Sequence, residues 1–153
     1  MKNETLSNGL TRFTNALLGV MFYGGIAATA ALPWIFRWGG QFYPSLKEHY
    51  WLNTILFMLS GVCAVLIIRE LRRMFRTVLA EDCFVQQNVL SLRRMGCLSF
   101  AIAVITAVRL VVLFTPATLI IITVFFIAAL FSFVLSHVFD RAVRYKEEND
   151  LTI

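Results

Sequence analysis

Four apolar runs, interrupted by one long basic segment, decide most of what this chain can become. The runs cover residues 13–36, 51–68, 95–114 and 117–139 of 153. Crossing the hydrocarbon core takes about 20 apolar residues at ~1.5 Å each, and each run comes close to or exceeds that length. Composition points the same way. With 59% hydrophobic and 15% charged residues, the chain lies outside soluble domains, which are nearer half apolar and a quarter charged. The expected fold is all-α and polytopic: four transmembrane helices in a four-helix bundle, arranged as two antiparallel hairpins. A basic helical cytoplasmic link, 69–94, joins the hairpins, and a cytoplasmic tail, 140–153, completes a single domain spanning 1–153.

Residues 1–11 are polar and read as a short tail. The first run has a rival reading as a signal peptide, because Lys2 and Arg12 precede it and Ala28-Thr29-Ala30 mimics a cleavage site. It is too long for a signal core, and further spans follow, so it is read as a retained anchor. Gly24, Gly25, Ala27, Ala28, Ala30 and Ala31 make its second half slim, which suits close helix packing in lipid. Pro33 is expected to end or kink this helix. Trp34, Trp38, Phe42, Tyr43, Tyr50 and Trp51 then form an interfacial aromatic belt around a loop turned by Gly39, Gly40 and Pro44.

The link reads RELRRMFRTVLAEDCFVQQNVLSLRR. Leu71, Phe75, Val78 and Leu79 recur at helical spacing, so the second span continues beyond the membrane as an amphipathic helix. Glu81 and Asp82 mark a break, with Asp82 as N-cap, and 84–94 forms a helix feeding the third span. In that span Ser99, Ala103 and Ala107 draw a small-residue seam, answered by Ala128, Ser132 and Ser136 in the fourth. Thr115-Pro116 provides an N-cap and a proline at the first helical position. These seams also allow homo-oligomers.

Charge orients the chain. With both termini in the cytoplasm, Lys2, Arg12, the six link arginines (69, 72, 73, 76, 93, 94), Arg141, Arg144 and Lys146 all lie inside, leaving Arg37, Lys47 and Arg109 towards the outside. The expected location is therefore a cell membrane crossed four times, with both termini cytoplasmic. The net charge of +5 serves orientation and contact with anionic lipids at the inner face, and no direct nucleic-acid binding is expected.

An ionisable residue inside a span is a functional candidate by default. Arg109 is the one placed well within a span. It follows Met95 by fourteen residues, hence about 21 Å along the helix. One reading has it stretching to the outer headgroups. The other pairs it with Glu48 and, together with Arg37 and His49, builds an outer site for an anionic lipid or a peptide carboxylate. No Asp or Glu lies within a span, so the exchange site of a proton-coupled carrier is missing. His49 and His137 fall on opposite sides, against a bis-histidine haem or a histidine metal cluster. His137 is expected to bond locally or pair with Asp140. Cys63, Cys83 and Cys97 lack CxxC spacing and read as unpaired thiols, with Cys83 in the link as a redox or acylation handle. No catalytic residues, metal or cofactor are expected, and the chain reads as a non-enzyme.

Three stretches carry a family resemblance: Phe84-Val85-Gln86-Gln87-Asn88-Val89, Leu92-Arg93-Arg94-Met95-Gly96, and the terminal KEENDLTI from Lys146. With these the chain resembles, from about Leu10 onward, the bacterial four-span membrane family filed as domain of unknown function twenty-nine seventy-five (DUF2975). It departs from the family pattern at Asp82-Cys83, where a turn-type Pro or Gly is common. The resemblance implies no known enzymatic activity. It implies a small cytoplasmic helix-turn-helix regulator as partner, and a cytoplasmic interaction surface of Phe84, Asn88, Arg93, Glu148, Asn149 and Asp150, with Asn88 or Asn149 capping helix ends. The functional expectation is a membrane sensor or recruitment protein for such a regulator. The alternatives are a small transporter or immunity-type membrane factor, or a structural subunit of a membrane complex.

Compartment-specific reporters fused to either end are expected to report from the cytoplasm. An end that reports from outside, or removal of the first apolar run from the mature chain, would overturn this topology.

Overall fold

The structure, a computed structural model, describes residues 2–39, 50–80, 83–112 and 114–150, with the side chains of all but 2–11, Val112 and Asp150. It consists of four helices: α1 (Lys2–Gly39), α2 (Tyr50–Leu79), α3 (Gln86–Val112) and α4 (Pro116–Asp150). Each is long and apolar enough to cross a membrane. Even α3, with 27 residues, reaches about 40 Å at ~1.5 Å per residue, beyond the ~30 Å of a hydrocarbon core. The excess lies at what we term the basic end, where α2 and α4 finish and α1 and α3 start. The opposite, aromatic end carries the exposed rings of Trp34, Trp38 and Trp51.

The helices pack in series, α1 on α2, α2 on α3 and α3 on α4, and among the described residues no contact joins α1 to α4. The bundle is therefore open along one side. Outward faces are apolar; on α4, Ile120, Val124, Ile127, Phe131 and Val134 are all exposed at helical spacing, as a lipid-facing stripe requires.

Small residues set the helix contacts. A Cβ on Gly61 of α2 would sit 2.7 Å from Thr29 Oγ1 and 2.9 Å from its Cγ2, and one on Gly25 of α1 would meet Val65 at 3.2 Å. A Cβ on Gly96 of α3 would lie 2.9 Å from the Phe133 ring of α4. The α3–α4 seam differs from the expected one at two positions. Ser99 and Ala103 are buried with Thr106, whereas Ala107 is exposed; on α4, Ala129, Ser132 and Ser136 are buried, whereas Ala128 is only partly so. Steps of four alone drift around a helix. Alternating threes and fours average 3.5 and hold a seam against an antiparallel neighbour.

The basic end is cross-braced by polar side chains. Asn88, 1% exposed, donates to Thr77 Oγ1 (2.7 Å) and to the Cys83 carbonyl (2.8 Å), and Thr77 donates to Asn88 Oδ1 (3.0 Å) or to the Met74 carbonyl (2.7 Å). One turn deeper, the buried Glu70 carboxylate accepts from Ser91 Oγ (2.8 Å) and faces Arg94 at 3.5 Å. Ser136 of α4 donates to the Val89 carbonyl (3.3 Å), extending the brace to the last helix.

Two other expectations change. Residues 2–11 are helical, since α1 already starts at Lys2, ahead of the apolar span from Arg12; a helix nucleated in the span propagates outward with one bond per residue, and Gly9 alone does not stop it. Nor does Pro33 end α1, which runs on to Gly39, while Tyr50 donates to the Pro33 carbonyl at 3.0 Å. Three local readings hold. The arms of 69–94 are helical extensions of α2 and α3, α4 starts at Pro116 behind Thr115, and 140–150 continues α4. Thr118 donates its N–H to the Thr115 carbonyl (2.9 Å), and the two hydroxyls lie 2.6 Å apart, so the contact is not the side-chain-to-backbone cap expected of Thr115. Asp140 pairs with Arg144 one turn on, at 2.9 Å, and not with the exposed His137 as the sequence reading offered. Glu81 and Asp82 lie outside the described residues.

The smallest possible change at Gly61 tests the α1–α2 contact. Gly61→Ala is expected to destabilise the detergent-solubilised protein by about 1–3 kcal/mol, the usual cost of overpacking. Gly24→Ala, where a Cβ meets nothing within 4 Å, is expected to be neutral or stabilising, and Thr29→Ala is expected to rescue Gly61→Ala; thermal unfolding reads all three. Asn88→Ala leaves the Cys83 carbonyl without its donor, and is expected to lower stability by about 1–3 kcal/mol in the same assay.

Candidate functional site

Below the aromatic end the helices part around a cavity of about 260 Å³. All four contribute to its wall. Ser60, Gly61 and Ala64 of α2 supply little volume, so their face leaves room. On α3, Ile102, Ile105, Thr106 and Arg109 share one face by their steps of three and four. Ile121 and Phe125 close the wall from α4, and Leu32 reaches in from α1. Because α1 and α4 do not touch, the cavity sits beside the open flank of the bundle.

Among the described residues Arg109 is the one charged residue lining this cavity. Its guanidinium carbon lies 4.3 Å from the centroid of the Phe57 ring, and Phe57 stacks in turn on Phe36 of α1, 5.0 Å between centroids. A row of three side chains thus links α1, α2 and α3. The ring face attracts the cation but accepts few of its hydrogen bonds. Arg109 Nε is buried and has no hydrogen-bond partner among the described residues. A guanidinium presents five donors in a planar fork suited to a carboxylate or a phosphate. The arrangement holds a fixed cation at the top of an apolar chamber. From Arg109 to Ile102 the chamber follows α3 for seven residues, about 10 Å.

Of the expected outer site, Arg109 is in place. Arg37 is exposed on the last turn of α1 and does not line the cavity. Glu48 and His49 lie outside the described residues. The sequence reading did not assign Phe57 or Thr106 to the site. A phenylalanine in one span can be paired with an arginine in another only once the register of the two helices is known.

The expected cytoplasmic surface divides. Phe84 is half exposed and its ring lies 5.7 Å from Phe139 of α4. Arg93 is exposed on the other flank of α3, beside Leu66 and Glu70 of α2. Asn88 leaves the surface altogether; its amide is buried and ties α3 to α2 and to the segment before it, rather than capping a helix end or meeting a partner. Glu148 and Asn149 are exposed at the end of α4. The side chain of Asp150 and residues 151–153 lie outside the described residues. The three cysteines are free: Cys63 buried, Cys83 partly so, Cys97 exposed. Among the described residues no cluster of metal-ligating side chains occurs.

No curated protein and no solved structure matches this chain. One family model does, over residues 34–153, starting later than the Leu10 that the motifs suggested and taking in α2, α3, α4 and the end of α1. The chain therefore belongs to the membrane family described as "Protein of unknown function (DUF2975)".

Proposed function

We propose that the chain is a non-enzymatic membrane sensor, in which an amphiphile with an anionic head and a short apolar tail enters the four-helix cavity and binds Arg109. The basic end, on the cytoplasmic side in this reading, then recruits a soluble regulator, for which the family resemblance implies the helix-turn-helix class. The observation carrying this reading is the unpartnered Nε of Arg109 at the head of an apolar chamber that every helix lines. An unsatisfied guanidinium in a medium of low dielectric is costly, and a bound carboxylate or phosphate supplies the missing acceptor. Its tail would bridge α1 and α4, which otherwise do not meet.

Sensing fits better than transport. Below the cavity Ser99 of α3 is buried, and deeper still the buried Glu70 of α2 meets Ser91 of α3. A carrier needs access from both ends, whereas a chamber closed at its base retains a ligand and transmits its presence along α2 and α3.

Laurate and dodecanol serve as matched probes in native mass spectrometry of the purified full chain. Laurate is expected to bind, and Arg109→Ala is expected to weaken it by about tenfold or more, as loss of a charge-assisted hydrogen bond does. Arg109→Lys should fall between. Deleting 149–153 is expected to abolish regulator pull-down while laurate binding persists. Equal retention of laurate by Arg109→Ala and the parent chain would sink the reading.

A further inference from the structure

A second cavity, of about 310 Å³, opens at the basic end between α1 and α2. Its walls are Phe22 of α1 and four arginines of α2: Arg69, Arg72, Arg73 and Arg76. The spacing i, i+3, i+4, i+7 puts all four on one helical face within about 10 Å of axis. Like charges this close on a helix repel, and among the described residues no carboxylate faces them. Glu70, their neighbour in sequence, lies on the opposite face with Ser91 and Arg94.

Arg72 is the built part of the site. Its guanidinium carbon lies 5.2 Å from the Phe22 ring and 5.9 Å from that of Tyr23. Its Nη2 reaches to within 3.8 Å of where a Cβ on Gly19 would stand, so the absent side chain there leaves it room. Its Nε is buried without a hydrogen-bond partner among the described residues. Aromatic faces hold the cation in place and leave its donors unused. The cluster begins where the apolar run of α2 ends, at Arg69, which is headgroup depth for a spanning helix.

We propose that this pocket is a specific site for the headgroup of a lipid carrying two phosphates, distinct from the general attraction of basic residues for an anionic surface. Four cations around one concavity exceed what a single phosphate neutralises, and basic pockets between transmembrane helices suit multiply charged headgroups. Guanidinium forks bind phosphate oxygens bidentately. The acyl chains would run along the exposed apolar flanks of α1 and α2. This site is independent of the Arg109 cavity, and either can fail without the other.

The test is native mass spectrometry of the full chain in detergent with tetraoleoyl cardiolipin or dioleoyl phosphatidylglycerol added. Cardiolipin is expected to be retained at concentrations about tenfold lower than phosphatidylglycerol, given roughly additive contributions per arginine. Arg72→Gln with Arg76→Gln should erase this difference. Arg12→Gln with Arg141→Gln, which removes the same charge from the basic end outside the pocket, should preserve it. Phe22→Leu keeps every charge but frees Arg72, and should narrow the difference in part. Equal retention of the two lipids by the parent chain, or equal losses in both arginine pairs, would overturn the proposal. So would displacement of cardiolipin by soluble pyrophosphate at similar concentration, which would make the site one for a free anion.

Discussion

The contact between α2 and α3 is pinned at one end only, and the rest of the molecule depends on that asymmetry. In lipid, helices gain nothing by hiding apolar side chains from one another, so close packing and hydrogen bonds must hold them. At the basic end Asn88, Thr77, Glu70, Ser91 and Arg94 supply those bonds across the pair. Towards the aromatic end the described link between the same helices is the approach of Arg109 to the Phe57 ring, with a cavity beneath it. Glycine contacts hold α1 to α2 and a small-residue seam holds α4 to α3. Each outer helix is thus attached to one inner helix and not to the other outer one. Any widening between α2 and α3 at the aromatic end separates α1 from α4, while the basic end keeps its register.

Much of this was legible in the residues, and the parts that were not have a common cause. Length and apolarity fix the four spans because the bilayer imposes them one helix at a time. Pro116 as the start of α4 and the apolar spacing of 71–79 are likewise local signals, and both hold. Pairings between helices are different in kind. That Asn88 turns inward to Thr77 instead of outward to a partner depends on where α2 lies, eleven residues back across a connection. An Asn before a third span reads equally well as surface. Glu70 reads as one more charge in a charged link, yet it is buried because Ser91 and Arg94 stand opposite. The seam positions Thr106 and Ala129 displaced Ala107 and Ala128 for the same reason, since the neighbouring helix selects the period. Arg109 was legible as a candidate because charge in a span is rare. Its ring partner was not.

Arg72 and Arg109 solve one problem in the same way. Each guanidinium is set against a phenylalanine, Phe22 or Phe57, and each keeps a buried Nε with no acceptor. A carboxylate from the protein in either place would neutralise the charge and close the site. A ring face stabilises the cation by a smaller amount, about 0.5–2 kcal/mol, and leaves the fork available. The surroundings of the two forks differ, and so would the ligand each suits. Around Arg72 three further arginines demand more negative charge; around Arg109 the wall is almost wholly apolar and demands a tail.

Both proposed sites draw on one continuous helix, α2. Phe57 and Arg72 belong to α2 and lie fifteen residues apart, about 22 Å along its axis. That helix is also the partner of the braced Asn88 and the glycine-packed Thr29, so the two places share one set of helix contacts. An amphiphile that favours one position of α2 and a headgroup that favours the same position must then strengthen each other's binding by the same factor, because coupling between two equilibria is reciprocal. If they favour opposite positions, each weakens the other equally. A chain of this construction would read the composition of the surrounding membrane as well as the ligand within it.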